Sequence, residues 1–208
     1  LARAKGVRLH THLAETEDEN AYCQERFGCR PLDFLEGVEW SGEDIWLAHG
    51  IFFDEGEIAR LGSRRMGIAH CPTSNMRLGS GICPVPHLRA AGSPVGLGVD
   101  GSSSNDTGHA LMEARQALYL RRLAEGAASM TVMEALELAT RGGAACLGRS
   151  EIGWIGPDSA ADFAVFGLDE EIAASGAHDP VAALLLCGPL RAHTVVVNGR
   201  VVVDEGQI

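Results

Sequence analysis

The sequence predicts an α/β chain built on a parallel sheet, and three observations carry that prediction. Four short apolar runs alternate with amphipathic segments. Each run closes on a His or an Asp. The stretches between those closing residues leave room for a loop and a helix, which a parallel pair of strands requires. Four strand–helix units with right-handed crossovers amount to half of an eight-stranded α/β barrel.

The runs are Gly6 to His10 with its continuation to His12, Ile45 to His49, Met66 to His70, and Val95 to Asp100. From His12 onward the closing residues recur after about 37, 21 and 30 positions. Glu17 to Phe27 is polar on one face and carries Tyr22 and Phe27. Asp54 to Arg65 starts acidic, spaces Ile58 and Leu61 as a helix would, and ends on two arginines, in the order that suits a helix dipole. Cys83 to Ala91 is a shorter, Pro-containing piece.

After Asp100 the texture changes. Gly101 to Asn105 reads as a loop, and Ala110 to Glu125 and Thr131 to Leu147 as helices. Thr131 with Glu134 makes a capping box, and Gly148 a stop. From Ile152 the chain reads as short strands: Asp162 to Phe166, Thr194 to Val197, and Arg200 to Val203. Asn198-Gly199 between two Val-rich runs is a hairpin signal. The expected division is residues 1–150 for the barrel portion and 151–208 for a small β structure.

The chain has 208 residues, 46% of them apolar, which suffices for a sizeable core. No run reaches the roughly 18 apolar residues of a membrane span, and no basic segment leads into an apolar one as a secretory signal would. The chain opens at Leu1, and six residues lead almost directly into a strand-like run, so a piece of a longer protein is expected. The net charge is −11, with no Lys/Arg cluster longer than a pair. That balance argues against nucleic acid and leaves a small neutral or cationic substrate. Six scattered cysteines without C-x-x-C suggest reduced thiols in a cytoplasm.

The closing residues carry the chemistry. A His or Asp at the C-terminal end of a barrel strand points into the mouth, where barrel active sites sit. Each taken singly could be a hydrogen-bonded buried polar residue. Four in a row, His12, His49, His70 and Asp100, read as a metal or catalytic mouth, since imidazole and carboxylate are the usual ligands of a catalytic divalent ion. Glu15, three positions past His12, could move protons at a metal-bound water. It could equally be an acidic start to the helix that follows. Ser74 and Asn75 could touch substrate or cap a turn. Cys71, before a proline, reads as structural. His10 and His12 share a face of one strand, so spacing alone leaves open which of them is the ligand.

These residues together resemble the second half of the amidohydrolase superfamily. The matching strings are His12-Leu-Ala-Glu-Thr16, Trp46-Leu-Ala-His-Gly50, His70-Cys-Pro-Thr-Ser-Asn75, Gly96-Leu-Gly-Val-Asp-Gly-Ser102 and Ser175-Gly-Ala-His-Asp-Pro180. The likeness is narrower to the branch that deaminates nucleobases, nucleosides and triazines, above all 8-oxoguanine deaminases and hydroxyatrazine-type aminohydrolases. The resemblance implies a TIM-type (β/α)8 barrel, of which this chain would supply strands five to eight, plus part of a β-sandwich. It implies one divalent ion, zinc with iron as the alternative, held by His12 and Asp100. It implies Glu15, His49 and Asp100 as catalytic residues, and His70, Ser74 and Asn75 as support for the substrate pocket. Hydroxide on the metal would displace ammonia from an amino-substituted purine, with 8-oxoguanine going to urate. Triazines, guanine, isoguanine and adenosine derivatives are the other substrates implied, and a homo-oligomer the expected assembly. The zinc deaminases that use H-x-E and P-C-x-x-C are disfavoured, because C-x-x-C is missing.

One departure is large. The family carries a metal-binding His-x-His on its first barrel strand, and here only His10 and His12 have that spacing. Two protein ligands fall short of the three a catalytic zinc normally has. The 208 residues alone are therefore expected to be inactive. A non-catalytic fragment that keeps the fold is the remaining alternative, against which the intact set of His12, Glu15, His49 and Asp100 argues.

Overall fold

The computed structural model describes residues 1–167 and 178–208. Its first sheet is parallel and ordered as in the chain: β1 (Leu9–Leu13), β2 (Ile45–His49), β3 (Gly67–His70) and β4 (Val95–Leu97). Between these strands lie α1 (Glu17–Phe27), α2 (Pro31–Gly37), α3 (Glu55–Ser63), α4 (Pro72–Leu78) and α5 (Val85–Ala91). After β4 come α6 (Ala110–Glu125), α7 (Val132–Glu137), a π turn over Leu138–Gly142, and α8 (Gly143–Leu147). A second, antiparallel sheet holds β5 (Phe163–Phe166), β6 (Ala192–Val197) and β7 (Arg200–Val203), with α9 (Pro180–Leu186) ahead of β6. The parallel strands, each followed by a helix, are those of an α/β barrel.

Alternation along the strands builds the core. Ile45 and Leu47 of β2, Ile68 of β3 and Val95 of β4 are all buried on one side of the sheet. They form one cluster with Leu61 of α3, Leu88 of α5, Leu118 of α6 and Leu138. Leu47 pairs with Ile68 and Ile68 with Val95, so this apolar row runs straight across the sheet. Its burial is the main stabilising term, about 25 cal/mol for each Å² of apolar surface removed from water.

The expected helices form where capping chemistry allows. Asp54 caps α3 by accepting the Glu57 N–H, and the Glu57 side chain returns a bond to the Asp54 N–H. Thr131 and Glu134 do the same for α7. Asn198 and Gly199 both have positive φ, as the tight turn between β6 and β7 needs.

Four features differ from the sequence expectation. β4 stops at Leu97 rather than reaching Asp100. Gly98 still donates to His70 O, but then Asp100 turns left-handed and the loop closes on itself through Ser104 N–H and Asn105 N–H to Gly101 O. Residues 72–78 form a full helix started by Pro72, where a capped turn also fitted the sequence. α2 and α9, each opened by a proline, have no counterpart in the sequence reading. The Thr131–Leu147 helix is broken by its π turn, where Gly142 packs directly on Val95 O. Of the Ser175–Pro180 match, Ser175, Gly176 and Ala177 lie outside the described residues. Among the described residues no helix is long and apolar enough to cross a membrane.

Candidate active site

The exits of β1, β2 and β4 each place one residue with positive φ at the mouth of the sheet: Ala14, His49 and Asp100. Left-handed backbone is uncommon for residues with a Cβ and clusters at functional sites. At Ala14 the turn sends Glu15 back over the strand end. The exits are also stitched together, because Ala14 O accepts the N–H groups of both Ile51 and Phe52, and Gly50 N–H donates to Leu13 O.

His49 is the centre of the cluster and has no solvent exposure. Its Nδ1 lies 2.9 Å from Asn75 Oδ1. The oxygen can only accept, so Nδ1 carries the hydrogen of this contact. The ring's Nε2 lies 3.1 Å from His12 Nδ1, 3.6 Å from Glu15 Oε2 and 3.8 Å from Asp100 Oδ2. The two imidazoles meet edge to face at 4.9 Å.

Asp100 is held by hydroxyls. Ser74 Oγ donates to its Oδ2 at 2.6 Å, and Ser104 Oγ sits 3.0 Å from the same oxygen. Burial pushes the Asp100 carboxyl up. Hydrogen bonds from Ser74, the Gly101 N–H and Ser104, with His49 nearby, outweigh it and leave the group below its ordinary value. Asp100 is therefore a carboxylate at neutral pH. Glu15 is oriented through its backbone, whose N–H donates to Glu19 Oε2 at 3.0 Å. Burial, more than any other influence, raises the Glu19 carboxyl.

The donor chemistry suits a divalent ion. One ligand atom each from His12, His49 and Asp100 lies within 4.8 Å of the others. Two imidazole nitrogens and a carboxylate oxygen match the preferences of zinc. The sequence reading counted two donors, His12 and Asp100; the fold brings His49 to the same centre as a third.

The other expected residues divide. Ser74 and Asn75, both fully buried in the first turn of α4, support Asp100 and His49 as described. His70 is not in the cluster. It lines a small enclosed space with Ile82, Val85, Ala117 and Arg121, and its Nδ1 has no partner among the described residues. Burial first, and then His49, push its imidazole down to about 3. Cys71 is buried, its thiol pushed up to about 12 chiefly by burial, and its Sγ contacts Ala69 O, which fits a structural cysteine. His10 stacks on Trp46 with ring centroids 4.7 Å apart and does not join the ligand group of His12, His49 and Asp100. Ser104, Asn105 and Glu19 were missed in the sequence. A Ser/Asn-rich loop was the only local signal for the first two, and Glu19 resembles any first-turn acid.

Comparison with known proteins identifies the family. The amidohydrolase family model matches residues 1–203. An 8-oxoguanine deaminase of Pseudomonas aeruginosa is 56% identical over 208 residues, covering 100% of this chain and 46% of the relative. A hydroxydechloroatrazine ethylaminohydrolase of a Pseudomonas species is 38% identical over 214 residues, covering 100% of this chain and 44% of the relative. Among solved structures, an atrazine chlorohydrolase from Arthrobacter aurescens complexed with zinc superposes with a TM-score of 0.92 at 36% identity, over 99% of this chain and 46% of that one. The chain thus spans about half the length of the curated relatives it matches. With the matched barrel strands and the His, Glu and Asp residues at their mouth, this chain belongs to the amidohydrolase family.

Proposed function

We propose that the protein carrying this chain is a metal-dependent deaminase of an amino-substituted purine, with 8-oxoguanine as substrate and urate and ammonia as products. The observation that carries the reading is the convergence of His12, Glu15, His49 and Asp100 on one centre at the strand exits. The 56% identity to an 8-oxoguanine deaminase supports the choice of purine.

His12 and Asp100 would hold the ion, with His49 Nε2 facing the same centre. A divalent ion bound there would lower the pKa of a bound water steeply, to about 7. Asp100, kept ionised by Ser74 and Ser104, takes a proton from the attacking water. His49, with its Nδ1–H fixed on Asn75, faces that water through Nε2 and orients it. Glu15 carries a proton to the ring nitrogen next to the reacting carbon and then to the departing amine. Water adds, ammonia leaves, and a carbonyl replaces the amino group, so the step balances without an oxidant.

The test is ammonia release by the whole protein, zinc-loaded, from 8-oxoguanine, guanine, isoguanine and hydroxyatrazine. The highest kcat/KM is expected on 8-oxoguanine. Glu15→Gln is expected to lower kcat by about 10²- to 10⁴-fold with the metal retained. Turnover of triazines alone would establish instead the second reading, a triazine aminohydrolase, which the 38% identical hydroxydechloroatrazine relative favours. Zinc as the ion, rather than iron, is checked by metal analysis of the purified protein.

A further inference from the structure

Glu113 lies in the first turn of α6 and has no solvent exposure. It has no ion-pair partner among the described residues. A buried carboxyl group is costly unless hydrogen bonds replace its water. Both of its oxygens are used in that way. Oε2 accepts the backbone N–H of Thr73 at 3.1 Å, and Oε1 accepts Asn105 Nδ2–H at 2.7 Å.

Each partner leads to the candidate centre by a different route. Thr73 is the second residue of α4, whose N–H has no partner within the helix. The next two residues are Ser74, which donates to Asp100, and Asn75, which holds His49. Asn105, itself buried, also donates to Val99 O at 2.8 Å, the carbonyl just before Asp100. Its own N–H closes the loop on Gly101 O. One side chain from α6 thus joins the start of α4 to the exit of β4. The spacing of those two elements sets where Ser74 meets Asp100 and where Asn75 meets His49.

We infer that Glu113 is a positioning residue for the deaminase centre: through Thr73 N–H and Asn105 it holds the α4 start and the β4 exit in register, and so aims Asp100 and His49. The inference rests on the deaminase reading for its kinetic consequence, but its geometric consequence can be measured without it. Acid at this position is required, because an amide nitrogen cannot accept. Glu113→Gln keeps the shape and turns one of the two acceptors into a donor facing another N–H.

The experiment compares wild type and Glu113→Gln in the whole protein, loaded with zinc or with cobalt(II). Three quantities are read: kcat and KM per bound metal, the visible absorption bands of the cobalt form, and amide hydrogen exchange over residues 71–75 and 99–105. Glu113→Gln is expected to lower kcat by about 10- to 100-fold while KM stays within roughly twofold. The cobalt bands are expected to shift, and both segments to exchange faster. Unchanged kcat per bound metal, unchanged cobalt bands and unchanged exchange in those segments, with only a lower melting temperature, would overturn the inference and leave Glu113 a purely structural residue. Should Glu113→Gln not fold, Asn105→Ala breaks the same link from its other end and carries the same comparison. If wild type turns over no purine or triazine, the deaminase reading fails, while the cobalt bands and the exchange rates still decide the positioning role.

Discussion

At the residue scale, two imidazoles at neighbouring strand ends have opposite fates. His49 turns left-handed at the exit of β2 and enters the mouth, held by Asn75. His70 ends β3 in regular strand conformation, and the pleat sends its side chain to the helix layer instead. There it is nearly sealed from water, and burial pushes its pKa down to about 3, against about 6.5 in an unfolded chain. The unfolded state therefore binds a proton that the folded state refuses once the pH falls below about 6.5. Stability is lost towards acid by about 1.4 kcal/mol per pH unit, until saturation below about 3. His70→Gln is expected to flatten that part of the acid limb. Urea midpoints at pH 7.5, 6 and 5 check it, and equal slopes for both proteins would show that His70 is not the group responsible. Both histidines read alike in the sequence, because each closes an apolar run. Only the local φ and the side of the sheet separate them.

At the scale of elements, close backbone approach joins the helix layer. Gly62 of α3 faces Ala91 of α5, and a Cβ at Gly62 would lie 2.1 Å from Ala91 O. A carbonyl cannot swing away as a side-chain tip can. Gly62→Ala is expected to destabilise by about 1–3 kcal/mol or more, read as a drop in the urea midpoint with the slope unchanged. The same helix pair is tied to α2 by Arg30, whose guanidinium takes both oxygens of the buried Glu57 at 2.7 and 2.9 Å. Glu57 thus serves two partners, since it also completes the capping box with Asp54. In the sequence, the acidic start, the Ile58/Leu61 spacing and the basic end were enough to place α3. Its partner across space, Arg30, had no local sign. α2, α4 and α9 went unplaced for a related reason: seven-residue helices hold too few turns for a periodic stripe, and tertiary packing stabilises them.

At the scale of the whole molecule, one mouth gathers groups from four segments: His12 in β1 and Glu15 just after it, His49 at the end of β2, Ser74 and Asn75 from α4, and Asp100 after β4. An ion that binds this folded mouth and not the unfolded chain adds stability by mass action, about 2.7 kcal/mol at a hundred times its dissociation constant. Zinc added to metal-stripped protein is expected to raise the melting temperature, and Asp100→Asn to weaken that rise. A melting temperature indifferent to zinc would count against a metal held by His12 and Asp100 beside His49. The sequence by itself determined the parallel strand–helix order, the residues at the strand exits, the Thr131–Glu134 capping box and the β6–β7 hairpin. All of these follow from local periodicity, turn chemistry and motif spacing, which short stretches of chain carry. The tertiary structure alone decided that His49 joins His12 and Asp100 while His70 leaves, that β4 ends before Asp100, and that Glu113, Asn105 and Ser104 stand behind the centre. Those outcomes depend on which side of a pleat a residue falls and on contacts between segments about 10 to 40 residues apart. No local pattern encodes either, because a buried carboxylate in a helix and an exposed one look the same until the neighbours are in place.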